Sequence, residues 1–310
     1  MQIIFCVESS YEKGMGHLFR SMKLARALNN QNVTFVINDD SISCDILKKN
    51  NILYQIVNFS ASNWEENVLS HAGVDVWIND RHDTSLEHSS FILSRAKKLI
   101  TFDDRGPGAQ KADYNICPLI FNESLPGKKV LSGTPYIIVD EELKSFQRKR
   151  KVLSKVLVAL GGTDNFELTS KILSKIPALS FELSVLLGPH NTQESYIRSS
   201  FPQSKLLRNL PSLGTVFHEH DLLISGGGMM PFEALATGLP VICCASETFE
   251  KPVCQYIEKE SLGYFAGFRE DILNFNFARI LENIKLSDLS SNGMQKVDFN
   301  AISRLKGLII

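Results

Sequence analysis

The 310-residue chain lacks most of the features by which a sequence declares a special environment. Its six cysteines (Cys6, Cys44, Cys117, Cys243, Cys244, Cys254) include no C-x-x-C pair, and most sit in apolar, strand-like surroundings. A disulfide framework and a zinc site are therefore not expected; free, buried thiols of a cytoplasmic protein are. Neither charge is in excess: Lys+Arg 33 against Asp+Glu 34 leave a formal charge of −1, which speaks against nucleic acid as a partner. No apolar run approaches the roughly 18–20 residues of a membrane span, so the chain is not expected to be membrane-spanning. The apolar start, Met1-Gln-Ile-Ile-Phe-Cys-Val7, has no positively charged beginning and ends at Glu8, so it reads as a first strand and not a leader. Low-complexity segments and short repeats are also missing. What is present is ordinary globular composition, 44% hydrophobic and 22% charged, long enough for two domains.

Short β-rich runs alternate with helical segments through the first half. Ile3–Val7, Val33–Ile37, Ile52–Val57, Val74–Ile78 and Leu99–Phe102 read as strands, and 17–29 reads as a helix. The strands are apolar throughout, as strands covered on both faces must be. The stretch 140–154 breaks the pattern. Its charged core, Gln147-Arg-Lys-Arg-Lys151, reads as a solvated interdomain linker. The series then restarts with strands at Lys155–Leu160, Leu183–Leu187, Leu222–Ser225 and Val241–Cys244, and a helix at Phe166–Lys175. The expectation is an α/β protein of two Rossmann-like domains, 1–147 and 148–310, facing across a cleft. A last helix near 300–308 is expected to pack back on the first domain.

Three glycine-bearing turns carry the chemistry. Gly14-Met-Gly-His-Leu-Phe-Arg20 follows the first strand and opens the first helix, so Gly14 and Gly16 permit close ligand approach while His17 projects from the helix start. Arg20 lies one turn further on. Leu160-Gly-Gly-Thr-Asp-Asn165 ends another strand; Gly161 and Gly162 expose backbone N–H groups, Thr163 and Asn165 can hydrogen-bond a phosphate, and Asp164 or Asn165 can simply cap the next helix. Ser225-Gly-Gly-Gly-Met-Met-Pro-Phe-Glu233 places Gly226, Gly227, Gly228 and Met229 before a further helix. Glu233, in that helix's first turn, can accept two hydrogen bonds from a ribose diol or merely offset the helix dipole.

Taken in order, these motifs resemble the UDP-sugar hydrolases of pseudaminic acid biosynthesis, a family that includes spore-coat polysaccharide proteins. That family is similar in turn to lipid-II-forming N-acetylglucosaminyltransferases of glycosyltransferase-B fold. The resemblance covers almost the whole chain: G-x-G-H-x-x-R, Asp103-Asp104, G-G-T-D-N, G-G-G…E…G-L-P, and Asp298 with Arg304. It implies that His17 is catalytic and that Gly226–Glu233 holds nucleotide and diphosphate. Three places differ from the family pattern. Val7-Glu-Ser9 stands for Arg-x-Asp, His82 for a Tyr after Asp80, and Glu247-Thr-Phe-Glu-Lys251 for an Asn-Gln pair.

The catalytic candidates are His17 and Asp80. Asp80 and His82 end a predicted strand facing the cleft, or else lie in a surface loop. Asp103 is expected to end a strand and Asp104 to cap the following turn; no metal or other cofactor is expected. His71, His88, His190, His218 and His220 have no motif around them. The expected reaction is hydrolysis of a UDP-linked amino sugar, with His17 as base for water. An unperturbed imidazole titrates near pH ~6.5 and suits that task. The competing readings are an inverting glycosyltransferase and a catalytically silent sugar-nucleotide-binding protein.

Overall fold

The computed structural model describes residues 1–9, 15–28, 31–69, 73–121, 125–161, 164, 166–177, 181–188, 191–210 and 212–310. In chain order the first elements are β1 (Gln2–Val7), α1 (Gly16–Ala27), β2 (Asn32–Ile37), α2 (Ser41–Lys49), β3 (Tyr54–Ile56) and α3 (Trp64–Val68). They continue with β4 (Val74–Asp80), α4 (Leu86–Leu93), β5 (Ala96–Phe102), β6 (Tyr114–Cys117) and β7 (Val130–Ser132). Next come β8 (Lys155–Ala159), α5 (Leu168–Lys175), β9 (Glu182–Leu186), α6 (Glu194–Ser200), β10 (Lys205–Leu207) and α7 (Leu213–Glu219). The rest are β11 (Leu222–Ser225), α8 (Met230–Ala236), β12 (Val241–Ala245), α9 (Lys251–Lys259), β13 (Gly263–Phe268), α10 (Phe277–Asn283), α11 (Leu286–Lys296) and α12 (Ala301–Ile309).

Two compact units result, Met1–Ile138 with Asn300–Ile310, and Val139–Phe299. The first holds a seven-stranded parallel sheet ordered β3-β2-β1-β4-β5-β6-β7. Successive side chains of a strand point to opposite faces. Ile3, Phe5, Val7, Val76, Ile78, Ile100 and Phe102 accordingly join α1 and α12 in one core, while Ile4, Cys6, Trp77 and Leu99 join Trp64 and Ile92 in another. Covering both faces explains why these strands read as unbroken apolar runs. β2 and β4 flank β1 on opposite sides, which makes the carboxyl end of β1 and β4 a topological switch point, where ligands of such sheets bind.

The second unit repeats the scheme with six parallel strands, β10-β9-β8-β11-β12-β13, and its switch point lies between β8 and β11. Two sequence expectations need correction. The division falls between Ile138 and Val139, earlier than residue 147, and Gln147–Lys151 belongs to the second unit. Nor is that stretch a solvated linker. Arg150 is fully buried and donates to the carbonyls of Phe217 (2.5 Å), Arg148 (2.7 Å), His220 (3.3 Å) and Thr237. Arg148 pairs with Asp221 at 2.8 Å. The carbonyls near the ends of α7 and α8 keep acceptor capacity that the helices leave unused, and a guanidinium meets them.

Candidate functional site

His17 is the second residue of α1, a helix whose N-cap, Met15, offers no side-chain cap. One turn on, Arg20 and Ser21 face the same way. Across the switch point, β4 ends on Asp80, which β-strand alternation turns toward α1 with Val76 and Ile78. The result is a tight constellation around one fully buried carboxylate. His17 Nδ1 lies 2.6 Å from Asp80 Oδ1; Arg20 donates from Nη2 to Oδ1 (2.5 Å) and from Nε to Oδ2 (2.8 Å); Ser21 Oγ donates to Oδ2 at 2.7 Å. Arg20 Nη1 reaches on to Asp103 Oδ2.

Burial alone would raise the Asp80 carboxyl, but the charge and hydrogen bonds of Arg20, with the bond from His17, hold it well below the usual carboxylate range. Burial likewise opposes the Arg20 charge, and Asp80 and Asp103 together overrule it, keeping the guanidinium above its usual range. An ionised carboxylate can only accept, so His17 Nδ1 is the donor in this contact, with Arg20 Nη2 3.1 Å from the same nitrogen, and Nε2 is the ring nitrogen left free of Asp80. The His17 side chain is 23% exposed and Asp80 0%, so the imidazole can be reached and the carboxylate cannot. His82 approaches His17 edge-on, ring centroids 4.8 Å apart, and its Nδ1 lies 3.2 Å from the Asp103 carbonyl. Asp103 takes a left-handed backbone (φ 49°) just after β5, which is what directs its side chain to Arg20. Asp104 turns away: its Oδ1 accepts from Thr84 N at 3.0 Å and Gly106 N at 2.8 Å. The acidic pair is thus divided between an ion pair and a turn.

In the second unit the expected residues gather at the ends of β8 and β11. Gly161 takes φ +97°, a conformation that favours glycine. Asp164 accepts from Leu168 N and Thr169 N, both at 2.8 Å, and so caps α5. Gly226, Gly227 and Gly228 follow β11; Met229 is the N-cap of α8, with Glu233 in its first turn. A Cβ on Gly227 would come 2.7 Å from Glu250 Cβ and 2.8 Å from its carbonyl, whereas one on Gly228 would meet nothing within 4 Å. Glu250, unmarked by sequence reasoning, accepts from Ser246 N (2.7 Å), Ser246 Oγ (2.8 Å) and Glu247 N (3.2 Å), and forms a capping box with Glu247. This box occupies the segment where the resembled family carries Asn-Gln. Gly14, Gly162, Thr163, Asn165, His71 and His190 lie outside the described residues. No group of three or more His, Cys, Asp or Glu among the described residues is arranged to hold a metal ion, and no helix among them is long and apolar enough to cross a membrane.

Comparison with solved structures settles the architecture. MurG of Acinetobacter baumannii superposes with a TM-score of 0.70 at 13% identity, covering 100% of this chain and 99% of that one. Anabaena HepE in complex with UDP gives 0.63 at 12% identity, with 99% of each chain covered. The chain has the glycosyltransferase-B fold. No family model matches. Among curated proteins the chain is 27% identical to an uncharacterized protein of Methanocaldococcus jannaschii over 87% of its length, and spans 61% of that relative. It is 21% identical to the spore coat polysaccharide biosynthesis protein SpsG of Bacillus subtilis, covering 100% of this chain and 98% of that protein.

Proposed function

We propose that the chain cleaves a UDP-linked acetamido deoxy sugar at its anomeric carbon–oxygen bond, with water as acceptor, in the making of a surface-glycan nonulosonic acid. The observation that carries this reading is the His17–Asp80 pair at the switch point, 2.6 Å apart with Nε2 left as the open base. Water gives its proton to His17 Nε2 as its oxygen attacks the anomeric carbon, and the bonding pair leaves with the β-phosphate oxygen of UDP. Asp80, held ionised by Arg20, stabilises the imidazolium that forms. It therefore acts through His17 and touches no substrate. Arg20 is already committed to two carboxylates, so its part is to hold the pair. Backbone donors of the Gly226–Gly228 turn, with Gly161, are assigned to the diphosphate in this reading, and Glu233 to the ribose. The UDP complex of HepE and the polysaccharide role of SpsG support a nucleotide-sugar substrate.

A second reading keeps the same base and donor and replaces water by an acceptor hydroxyl. It is supported by the glycosyltransferase character of the structural neighbours. Both readings predict that His17→Asn lowers turnover about 10²–10⁴-fold, because an amide cannot take up a proton at neutral pH. UDP affinity by calorimetry should stay near that of the wild type, since the partner of His17 is the acceptor. Joint loss of rate and affinity would make His17 a phosphate ligand; loss of neither would remove it from the chemistry.

A further inference from the structure

A second imidazole stands beside His17. β4 ends at Asp80, and His82 follows two residues later. Its ring meets that of His17 edge-on, with centroids 4.8 Å apart and the planes at 87°. Its Nδ1 lies 3.2 Å from the Asp103 carbonyl. A carbonyl oxygen can only accept, so Nδ1 is the donor in this contact, and in the neutral ring Nε2 is left as an acceptor. His17 is anchored in the same sense, through Nδ1 to Asp80.

The two anchors are joined. Asp103 takes His82 on its carbonyl and Arg20 on its carboxylate, and Arg20 binds Asp80 in turn. Asp80 and Asp103 are buried, whereas the His17 side chain is partly exposed and His82 is exposed. Buried groups thus set the spacing of the rings, and the rings are the part of the constellation that a ligand can touch. The chemistry assigned to His17 uses one hydrogen of the attacking water and leaves the other without a partner.

We propose that His82 Nε2 accepts that second hydrogen, so that the paired imidazoles select water over an alcohol as the nucleophile. The assignment rests on the hydrolytic reading with His17 as base. Two hydrogen bonds of about 2.8 Å from one water, opened at the tetrahedral angle, reach acceptors about 4.5 Å apart, the scale of the ring spacing. Holding both hydrogens turns a lone pair of the oxygen toward the anomeric carbon. One hydrogen passes to His17 Nε2 as the oxygen attacks, and the anomeric carbon–oxygen bond breaks with its electron pair going to the β-phosphate oxygen of UDP. The second hydrogen stays on the attacking oxygen, which becomes the anomeric hydroxyl. An alcohol has one hydroxyl hydrogen. With that hydrogen on His17, it sets carbon against His82 Nε2 and leaves an acceptor unpaired. The tyrosine usual at this place in the resembled family has a hydroxyl that can donate as well as accept; His82, held by Nδ1, offers only an acceptor.

Full-length protein is incubated with a panel of UDP-acetamido sugars, in water and in a water–methanol mixture, with products followed by NMR. His82→Phe keeps a ring for the edge-on contact and removes both nitrogens, while His82→Gln returns an acceptor. His82 is exposed, so both variants should fold. Turnover by His82→Phe should fall roughly threefold to tenfold, as for one lost hydrogen bond, with KM and UDP affinity unchanged. The methyl glycoside share of its product should rise above that of the wild type. His82→Gln should recover part of the rate and of the preference for water. An unchanged rate in His82→Phe, or a lower rate with an unchanged methyl glycoside share, would overturn the role of His82 and leave hydrolysis through His17 standing. A wild type that hydrolyses none of the panel would overturn both.

Discussion

Asp80 is a charge with no water around it, and its four donor contacts decide whether the first unit tolerates it. Removing one side of a buried ion pair typically costs about 3–5 kcal/mol, because the other side is stranded. Asp80→Asn leaves Arg20 facing a neutral amide on that side, so a loss of that size is expected at pH 7 in denaturant unfolding. An unchanged midpoint would show that the pair carries no net stability. The sign with pH follows from the depressed Asp80 carboxyl. Its contribution is complete above the unfolded carboxyl value, about 4, and is lost as pH falls from there through the folded value. The wild type should lose that share below about pH 4, and Asp80→Asn should show a shallower acid limb. His17 and Arg20 were legible in the sequence because G-H-x-x-R puts them one helical turn apart after a strand. The Arg20–Asp80–Asp103 bridge was not, because its members lie 60 and 83 residues apart and Asp103 needs a left-handed backbone to reach it.

The element that most directly couples sequence to site in the second unit is the turn between β11 and α8. Its three glycines answer different demands. Gly227 is held by packing, since any side chain would strike the backbone of Glu250 at the start of α9, while Gly228 has open space over it. Gly227→Ala should therefore destabilise the fold by about 1–3 kcal/mol, as overpacking does. Gly228→Ala should leave stability within about 0.5 kcal/mol and instead weaken UDP binding, measured by calorimetry. Equal stability losses would mean that the turn is purely architectural. The glycine run itself was visible in the sequence, but the Glu247–Glu250 capping box was not. Its reciprocal bonds depend on a turn that local charge does not reveal. The same holds for Arg150, whose carbonyl partners come from residues up to 87 positions away.

At the scale of the whole molecule, the repeated order of two parallel sheets explains why the reading of two Rossmann-like domains was possible from apolar strand runs alone. What escaped were strands of three or four residues, β6, β7 and β10, too short for a pattern, and β13, which carries two glycines. The terminal segment Asn300–Ile310 groups with the first unit, with Lys98 Nζ donating to the Leu308 carbonyl at 2.7 Å. Each unit has its own switch point, one bearing an acid-held histidine and the other a glycine-rich turn. Water as the acceptor is the central claim, and NMR tests it most directly. The purified chain is incubated with a panel of UDP-, GDP- and CMP-sugars in the absence of any acceptor. Release of UDP together with the free reducing sugar from a UDP-acetamido sugar is expected, slower by about 10²–10⁴-fold with His17→Asn. Donors that stay intact until an acceptor hydroxyl is added, or that are never turned over, would contradict it.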